Sequence, residues 1–315
     1  MSRFKDILLF TGSANPKLAQ AISRTLDIPL ADTVLKRFSD GEIWVEIQEN
    51  VRQKDAYIIQ PTCEPANENL MELLVMIDAL KRASVDTVTA VIPYYGYARQ
   101  DRKSQPRVPI TAKLVADLLA AAGTDRVVSI DLHAGQIQGF FDIPFDHLFA
   151  MPVFLEHIKK TFVEEDLLVV SPDVGGAERA RSYAKRLGCN IALIDKRRPK
   201  PNVSEVMHVI GEVEGKNCLI VDDIVDTAGT LTAGAKTLLE YGAKSVSALC
   251  SHGVLSGPAI ERIKDSVLEK LIISDTIPLS KEKQISKIEQ VTVAPILSKG
   301  ILRIAKGQSV SSLFV

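Results

Sequence analysis

The chain has 315 residues, too many for one ordinary core and enough for two domains of roughly 150 residues each. Apolar residues make up 46% and charged residues 24%, a globular composition that excludes low-complexity or fibrous classes. Lys+Arg (38) and Asp+Glu (39) nearly cancel, so no net charge steers the molecule toward nucleic acid or a membrane, and any anion site must be built locally.

Taken in chain order, the predicted strands are the β-branched apolar runs 7–10, 56–60, 88–93, 127–131, 167–171, 191–195, 218–222, 245–250 and 271–274. Between them, 67–82, 110–122, 152–162, 177–187, 231–241 and 257–263 carry apolar residues at helical spacing, as in Leu70, Leu73, Leu74 and Ile77. Gly123, Gly188 and Gly242 fall where helices should stop. Strand–helix alternation with near-continuous apolar strands predicts an α/β fold with parallel sheets covered on both faces. The pattern runs twice. Two doubly wound domains are expected, 1–148 and 149–315, with ligands at the carboxyl ends of their strands.

The chemistry-bearing segments lie at those strand ends. Arg37-Phe38-Ser39-Asp40-Gly41-Glu42 precedes an alternating run, and its Asp-Gly is a turn signal, so by itself it reads equally as a plain hairpin. Pro93-Tyr94-Tyr95-Gly96-Tyr97-Ala98-Arg99-Gln100-Asp101-Arg102-Lys103 concentrates positive charge and aromatic rings, which suits a polyphosphate with a base. Asp131-Leu132-His133-Ala134-Gly135 again ends a buried strand in polar groups, although a lone strand-end histidine is more often structural. Ser171-Pro172-Asp173-Val174-Gly175-Gly176 puts Asp173 where it would either bind a divalent cation or cap a helix. Asp195-Lys196-Arg197-Arg198-Pro199-Lys200-Pro201 is either a solvated charge run or a catalytic lid.

The most specific segment is Cys218-Leu-Ile-Val-Asp222-Asp223-Ile-Val-Asp226-Thr227-Ala228-Gly229-Thr230. Two acids close a buried strand, where each charge is costly unless used. A loop of small residues then enters a helix, exposing N–H groups that can hold a phosphate. Carboxylates that read hydroxyls beside a phosphate cradle describe a phosphorylated-sugar site. An ordinary N-cap at Asp226 or Thr227 would not account for both acids. Gly215-Lys216 lacks the spacing of a Walker loop.

The four cysteines show no CxxC spacing, so neither a zinc ribbon nor a redox dithiol is expected. No apolar run approaches membrane-spanning length, and the N-terminus does not read as a signal peptide, so a cytoplasmic location is expected.

FSDGE, YARQD, DLHAGQIQGFFD, SPDVGG, DKRRP and VDDIVDTAGT occur in an order in which the chain resembles class I ribose-phosphate pyrophosphokinases of bacterial type, over essentially all 315 residues. The resemblance implies two stacked domains of phosphoribosyltransferase type. It implies transfer of the β,γ-diphosphate of Mg-ATP to the C1 hydroxyl of ribose 5-phosphate. By motif, Asp40, Gly41, Glu42, Arg99, Gln100 and Asp101 would bind ATP, and His133 and Asp173 would be associated with Mg2+. Lys196 and Arg198 would be catalytic. Arg198, Asp222, Asp223, Asp226, Thr227, Ala228, Gly229 and Thr230 would hold ribose 5-phosphate. Where many relatives have glycine this chain has Ala228, which is acceptable if φ there is negative. A homohexamer with an allosteric site is also implied, with Gln138, Asp146, Ser309, Ser311 and Phe314 matching that site. A phosphoribosyltransferase would share only the 218–230 segment, and a non-catalytic regulatory subunit would have an interrupted lid.

Overall fold

The structure, a computed structural model, describes residues 7–162, 166–197 and 206–314. It forms two compact units. The first comprises the chain up to Ala150, Thr276–Pro278 and the chain from Thr292. The second comprises Met151–Asp275 and Leu279–Val291. The chain passes to the second unit at Met151, and its C-terminal segment returns to the first.

In the first unit, strand β1 (Ile7–Thr11) leads into helix α1 (Pro16–Leu26). Asn15 caps α1, its side chain accepting the Leu18 N–H at 3.2 Å, and Pro16 presets the first turn. An antiparallel hairpin of β2 (Thr33–Arg37) and β3 (Ile43–Ile47) follows. Then come β4 (Asp55–Ile59), α2 (Ala66–Arg82), β5 (Thr87–Ile92), α3 (Thr111–Ala122), β6 (Arg126–Ile130) and β7 (Phe145–Leu148). Gly123 stops α3 at φ 104°, as expected of a helix-ending glycine. The sheet is parallel throughout, in the order β1-β4-β5-β6-β7. Alternate residues of β4 divide between its faces: Ala56 and Ile58 join a core with Leu73, Met76, Ile77 and Leu119 of α2 and α3, and Tyr57 and Ile59 are buried on the other side.

The second unit opens with α4 (Met151–Thr161), followed by β8 (Leu167–Ser171), α5 (Ala177–Leu187), β9 (Asn190–Arg197) and β10 (Val206–Ile210). It continues with β11 (Asn217–Val225), α6 (Gly229–Glu240), β12 (Ser245–Gly253), α7 (Ala259–Asp265), β13 (Leu271–Ser274) and β14 (Ile288–Val291). The seven strands lie in the order β10-β9-β8-β11-β12-β13-β14, parallel except where β10 pairs antiparallel with β9. All five residues of β8 are buried, as a strand covered on both faces requires. The chain then returns to the first unit as α8 (Ala294–Ala305), which packs on α1.

Candidate active site

The strand order of the second unit locates its site. From β8 the chain steps one way to β9 and β10, and from β11 it steps the other way to β14. The reversal between β8 and β11 opens a crevice at their carboxyl ends. β11 keeps its pairing with β12 to Val225 but loses β8 after Ile220, where the chain of β8 turns off toward Pro172. A cavity of ≈ 230 Å³ sits there. Pro172 and Asp173 form one wall, Asp222 and the 226–230 loop another, and Cys250 of β12 contributes from below.

The loop is built to present N–H groups. The N-cap of α6 is Ala228, not Asp226 or Thr227, and its methyl makes no capping hydrogen bond. Asp226 accepts instead from the Ser256 hydroxyl, and the Thr227 carbonyl accepts from Arg262 Nη1 at 3.0 Å. These bonds fix the loop from outside and leave the helix N-terminus open to an anion. Thr227 and Thr230 are exposed at its rim. One expectation fails here. Ala228 has φ 58° and ψ 5°, in the left-handed region rather than at negative φ. The turn requires that conformation whichever residue fills it, which explains glycine's suitability at this point.

The two acids lie within β11 rather than at its end, since the strand runs on to Val225. Asp222 is partly exposed to the cavity, whereas Asp223 is buried. Arg179 of α5, which no motif singled out, places Nη1 2.9 Å from Asp223 Oδ1 and 3.5 Å from Asp222 Oδ1. Asp222 Oδ1 also accepts the backbone N–H of Asp223 at 2.9 Å. Burial, and then the charge of Asp223, push the Asp222 carboxyl up to about 7, while Arg179 pulls it down. The thiol of Cys250, opposite Asp222 in the ladder, is held well above its usual range by burial, to which the two carboxylates add.

Asp173 is exposed on the cavity wall. Its Oδ1 accepts the Gly176 N–H at 2.9 Å, closing the loop before α5. The N-cap of α5 is Gly176 rather than Asp173, so Asp173 braces the loop and does not cap the helix. His133, in the other unit, is exposed. Among the described residues no group of three or more His, Cys, Asp or Glu is arranged to hold a metal. Asp173 offers a carboxylate oxygen of the kind a hard divalent cation takes.

In the first unit three motifs converge on neighbouring segments. Asp40 and Gly41 form the exposed tip of the β2–β3 hairpin, where Asp40 Oδ1 accepts the Glu42 N–H at 3.1 Å and Gly41 has φ 95°. At the base of the tip, Arg37 pairs with Glu68 at 2.9 Å, in the first turn of α2. The Tyr97 hydroxyl donates to Asn67, one residue earlier. The hairpin and the 97–101 segment are thus tied to one helix start. Gln100 accepts from the Thr111 hydroxyl, and Asp101 accepts from Gln136 Nε2 at 2.7 Å, which brings in the segment after His133. Arg99 and Gln100 are exposed. The aromatic expectation is corrected in part. Tyr94 and Tyr95 are core residues, Tyr95 donating to the Ala112 carbonyl at 3.0 Å and meeting Phe141 edge-on, so neither ring can stack on a base. Phe38 and Trp44, packed edge to face on the hairpin and exposed, are the rings that can.

The remaining motif residues divide. The Leu132 N–H donates to His147 Nε2 at 2.9 Å, so His147 holds the turn that presents His133. Gln138 donates to the Gly135 carbonyl, and Asp146 pairs with Arg126 at 2.5 Å. Ser309 and Ser311 are exposed in the tail, and Phe314 meets Phe149 edge-on, close in sequence to Asp146. Lys196 lies on β9, its backbone in register with Met207, because the strand continues two residues past the expected end at Asp195. Arg198 lies outside the described residues.

The sequence matches two family models, the N-terminal domain of ribose phosphate pyrophosphokinase over residues 7–123 and the phosphoribosyl synthetase-associated domain over 195–315. It is 57% identical to the ribose-phosphate pyrophosphokinase of Ralstonia nicotianae, across 98% of both chains, and 54% identical to that of Fusobacterium nucleatum across 100% of both. The structure is similar to phosphoribosylpyrophosphate synthetase from Mycobacterium smegmatis, with a TM-score of 0.91 and 42% identity, covering 96% of this chain and 99% of that one. A phosphoribosyltransferase would share only the second unit's loop, whereas here both halves match enzymes of one kind. The chain belongs to the ribose-phosphate pyrophosphokinase family.

Proposed function

We infer that this protein transfers the β,γ-diphosphate of ATP to the C1 hydroxyl of ribose 5-phosphate, releasing AMP and supplying nucleotide biosynthesis. The observation that carries the reading is the crevice between β8 and β11, where the N-terminus of α6 faces the same cavity as Asp222, which Arg179 supports. The 5-phosphate would sit on the amides of the 227–230 loop, with Thr227 and Thr230 donating to it, and Asp222 would accept from the pentose hydroxyls. Asp40, Gly41, Glu42, Arg99, Gln100 and Asp101 would hold ATP.

Such a transfer needs in-line positioning and charge neutralisation rather than covalent catalysis. Lys196 and Arg198 would supply cations as charge moves to the departing AMP oxygen. Asp173 and His133 would hold the metal, Mg2+ in our reading, which supplies further neutralisation of the phosphates. Self-association as a homohexamer, an allosteric site at Gln138, Asp146, Ser309, Ser311 and Phe314, and a cytoplasmic location belong to the same reading. No described helix is long and apolar enough to cross a membrane. The deciding experiment mixes protein, Mg2+, ATP and ribose 5-phosphate and follows AMP. AMP formation that requires the sugar phosphate supports the reading, and its absence overturns it.

A further inference from the structure

Arg179 is an odd residue to find where it is. It projects from α5, whose other polar side chains Glu178, Lys185 and Arg186 suit a solvated face, yet its guanidinium reaches across to β11. It does not line the cavity, and neither does Asp223. Its nearer partner is the buried acid, at 2.9 Å, and its farther one is the cavity-lining acid, at 3.5 Å.

The chemistry of the pair explains why a cation is needed. Two carboxylates on consecutive residues repel each other, and removing either from water raises the cost. One nitrogen of a planar guanidinium set between them offsets both effects and fixes their rotamers, which a flexible ammonium does less well. Asp222 Oδ1 is held by the Asp223 N–H and Arg179, and the Asp222 side chain lines the cavity where a ligand would meet it. The sugar-reading oxygen is thus aimed from behind.

We propose that Arg179 is a positioning residue for the pentose: by clamping Asp223 and Asp222 it keeps one Asp222 oxygen ionised and turned toward the sugar hydroxyls, without itself touching substrate. The inference rests on the reading of the cavity as the ribose 5-phosphate site. The groups that face Asp222 are Asp223 on its own strand, Arg179 from α5, Cys250 and His252 on β12, and Asp173 across the cavity. Arg179 is the cation that favours ionisation of Asp222, so its loss moves that ionisation to higher pH.

The test is steady-state kinetics of Arg179→Ala, Arg179→Lys and the charge-balanced double variant Arg179→Ala/Asp223→Asn, from pH 6 to 9. For Arg179→Ala the KM for ribose 5-phosphate is expected to rise about tenfold or more, with the KM for ATP within about threefold. The pH at which kcat/KM for the sugar phosphate is half-maximal should move upward. The sugar's own phosphate titrates near about 6 and does so equally for every variant, so only the difference between variants is read. Arg179→Lys should recover part of the affinity, and the double variant part of the pH profile. If Arg179→Ala does not fold, as read by circular dichroism, the other two variants carry the test. Unchanged KM and an unchanged pH profile in the folded variants, or a KM for ATP that rises in step with that for the sugar, would overturn the inference. Wild-type protein that forms no AMP would instead overturn the underlying reading.

Discussion

Ala228 shows how a residue can sit in an unfavourable conformation at little net cost. Its left-handed backbone is disfavoured by about 1–2 kcal/mol relative to glycine. Against that, its buried methyl contributes about 0.8 kcal/mol, and glycine would add about 0.4–1 kcal/mol of unfolded-state entropy. Ala228→Gly should therefore stay within about 1 kcal/mol of wild type in urea unfolding, whereas Ala228→Val, branched at the same φ, should lose on the order of 1–3 kcal/mol. Asp222 carries a pH prediction. Its carboxyl titrates near 7 in the folded protein against an ordinary 3.8. A raised folded pKa means stability that is present below the ordinary value and is lost as pH rises through about 7. Asp222→Asn cannot ionise, so its melting temperature relative to wild type should be higher at pH 8 than at pH 5. The same substitution should raise the KM for ribose 5-phosphate more than that for ATP. Equal effects on both would count against the sugar assignment. The acids and the loop were legible because two adjacent charges in an apolar strand are costly to bury unless a ligand or a cation uses them. Arg179 was not, since its partners lie 43 and 44 residues away and its own segment reads as an ordinary polar helix face. Tyr94 and Tyr95 misled for a related reason: a strand's buried face continues into its loop without any change in residue type.

At the level of elements, the central strands and most helices were visible in the periodicity, and the 167–171 and 271–274 strands fell at their predicted limits. What escaped includes the 11-residue α1 and the strand β10, together with elements that are short or interrupted. β7 and β14 are four residues each, with polar residues inside. α8 has Pro295 at its start and Gly300 in its middle, which blur a helical pattern. The glycine is a packing requirement, because a Cβ there would come 2.8 Å from Leu148. The end of β9 and the residues that follow it carry the sharpest kinetic prediction. Contacts made mainly in the transition state lower kcat and leave KM nearly unchanged. Lys196→Ala and Arg198→Ala should each reduce kcat on the order of a hundred- to a thousandfold. Their double variant should lose less than the product, since both act on one charge distribution. Lys200→Ala should matter far less. A double variant whose kcat stays within a few-fold of wild type would return the segment to a solvated charge run.

Assembly is the prediction that belongs to the whole molecule. Light scattering at micromolar concentration should show a homo-oligomer, and a monomer with full activity would refute it. If the proposed allosteric site takes a nucleotide such as ADP, ending the chain after Gly307, which removes Ser309, Ser311 and Phe314 with its Phe149 contact, should abolish inhibition by it while sparing sugar-dependent AMP formation. The division near residue 150 was readable from the repeated strand–helix pattern, but the return of the C-terminus was not, because nothing in a helix's own sequence says which sheet it will cover. That return matters during synthesis. A ribosome delivers α1 early, yet the helix that packs on it, α8, is made only after the whole second unit. At cellular elongation rates the interval is on the order of fifteen to fifty seconds. For that time the face of α1 that packs on α8 lacks its cover. The second unit's sheet is complete at β14, before the first unit receives its last helix, and nascent chains stalled in that window are the form in which this protein would most need a chaperone.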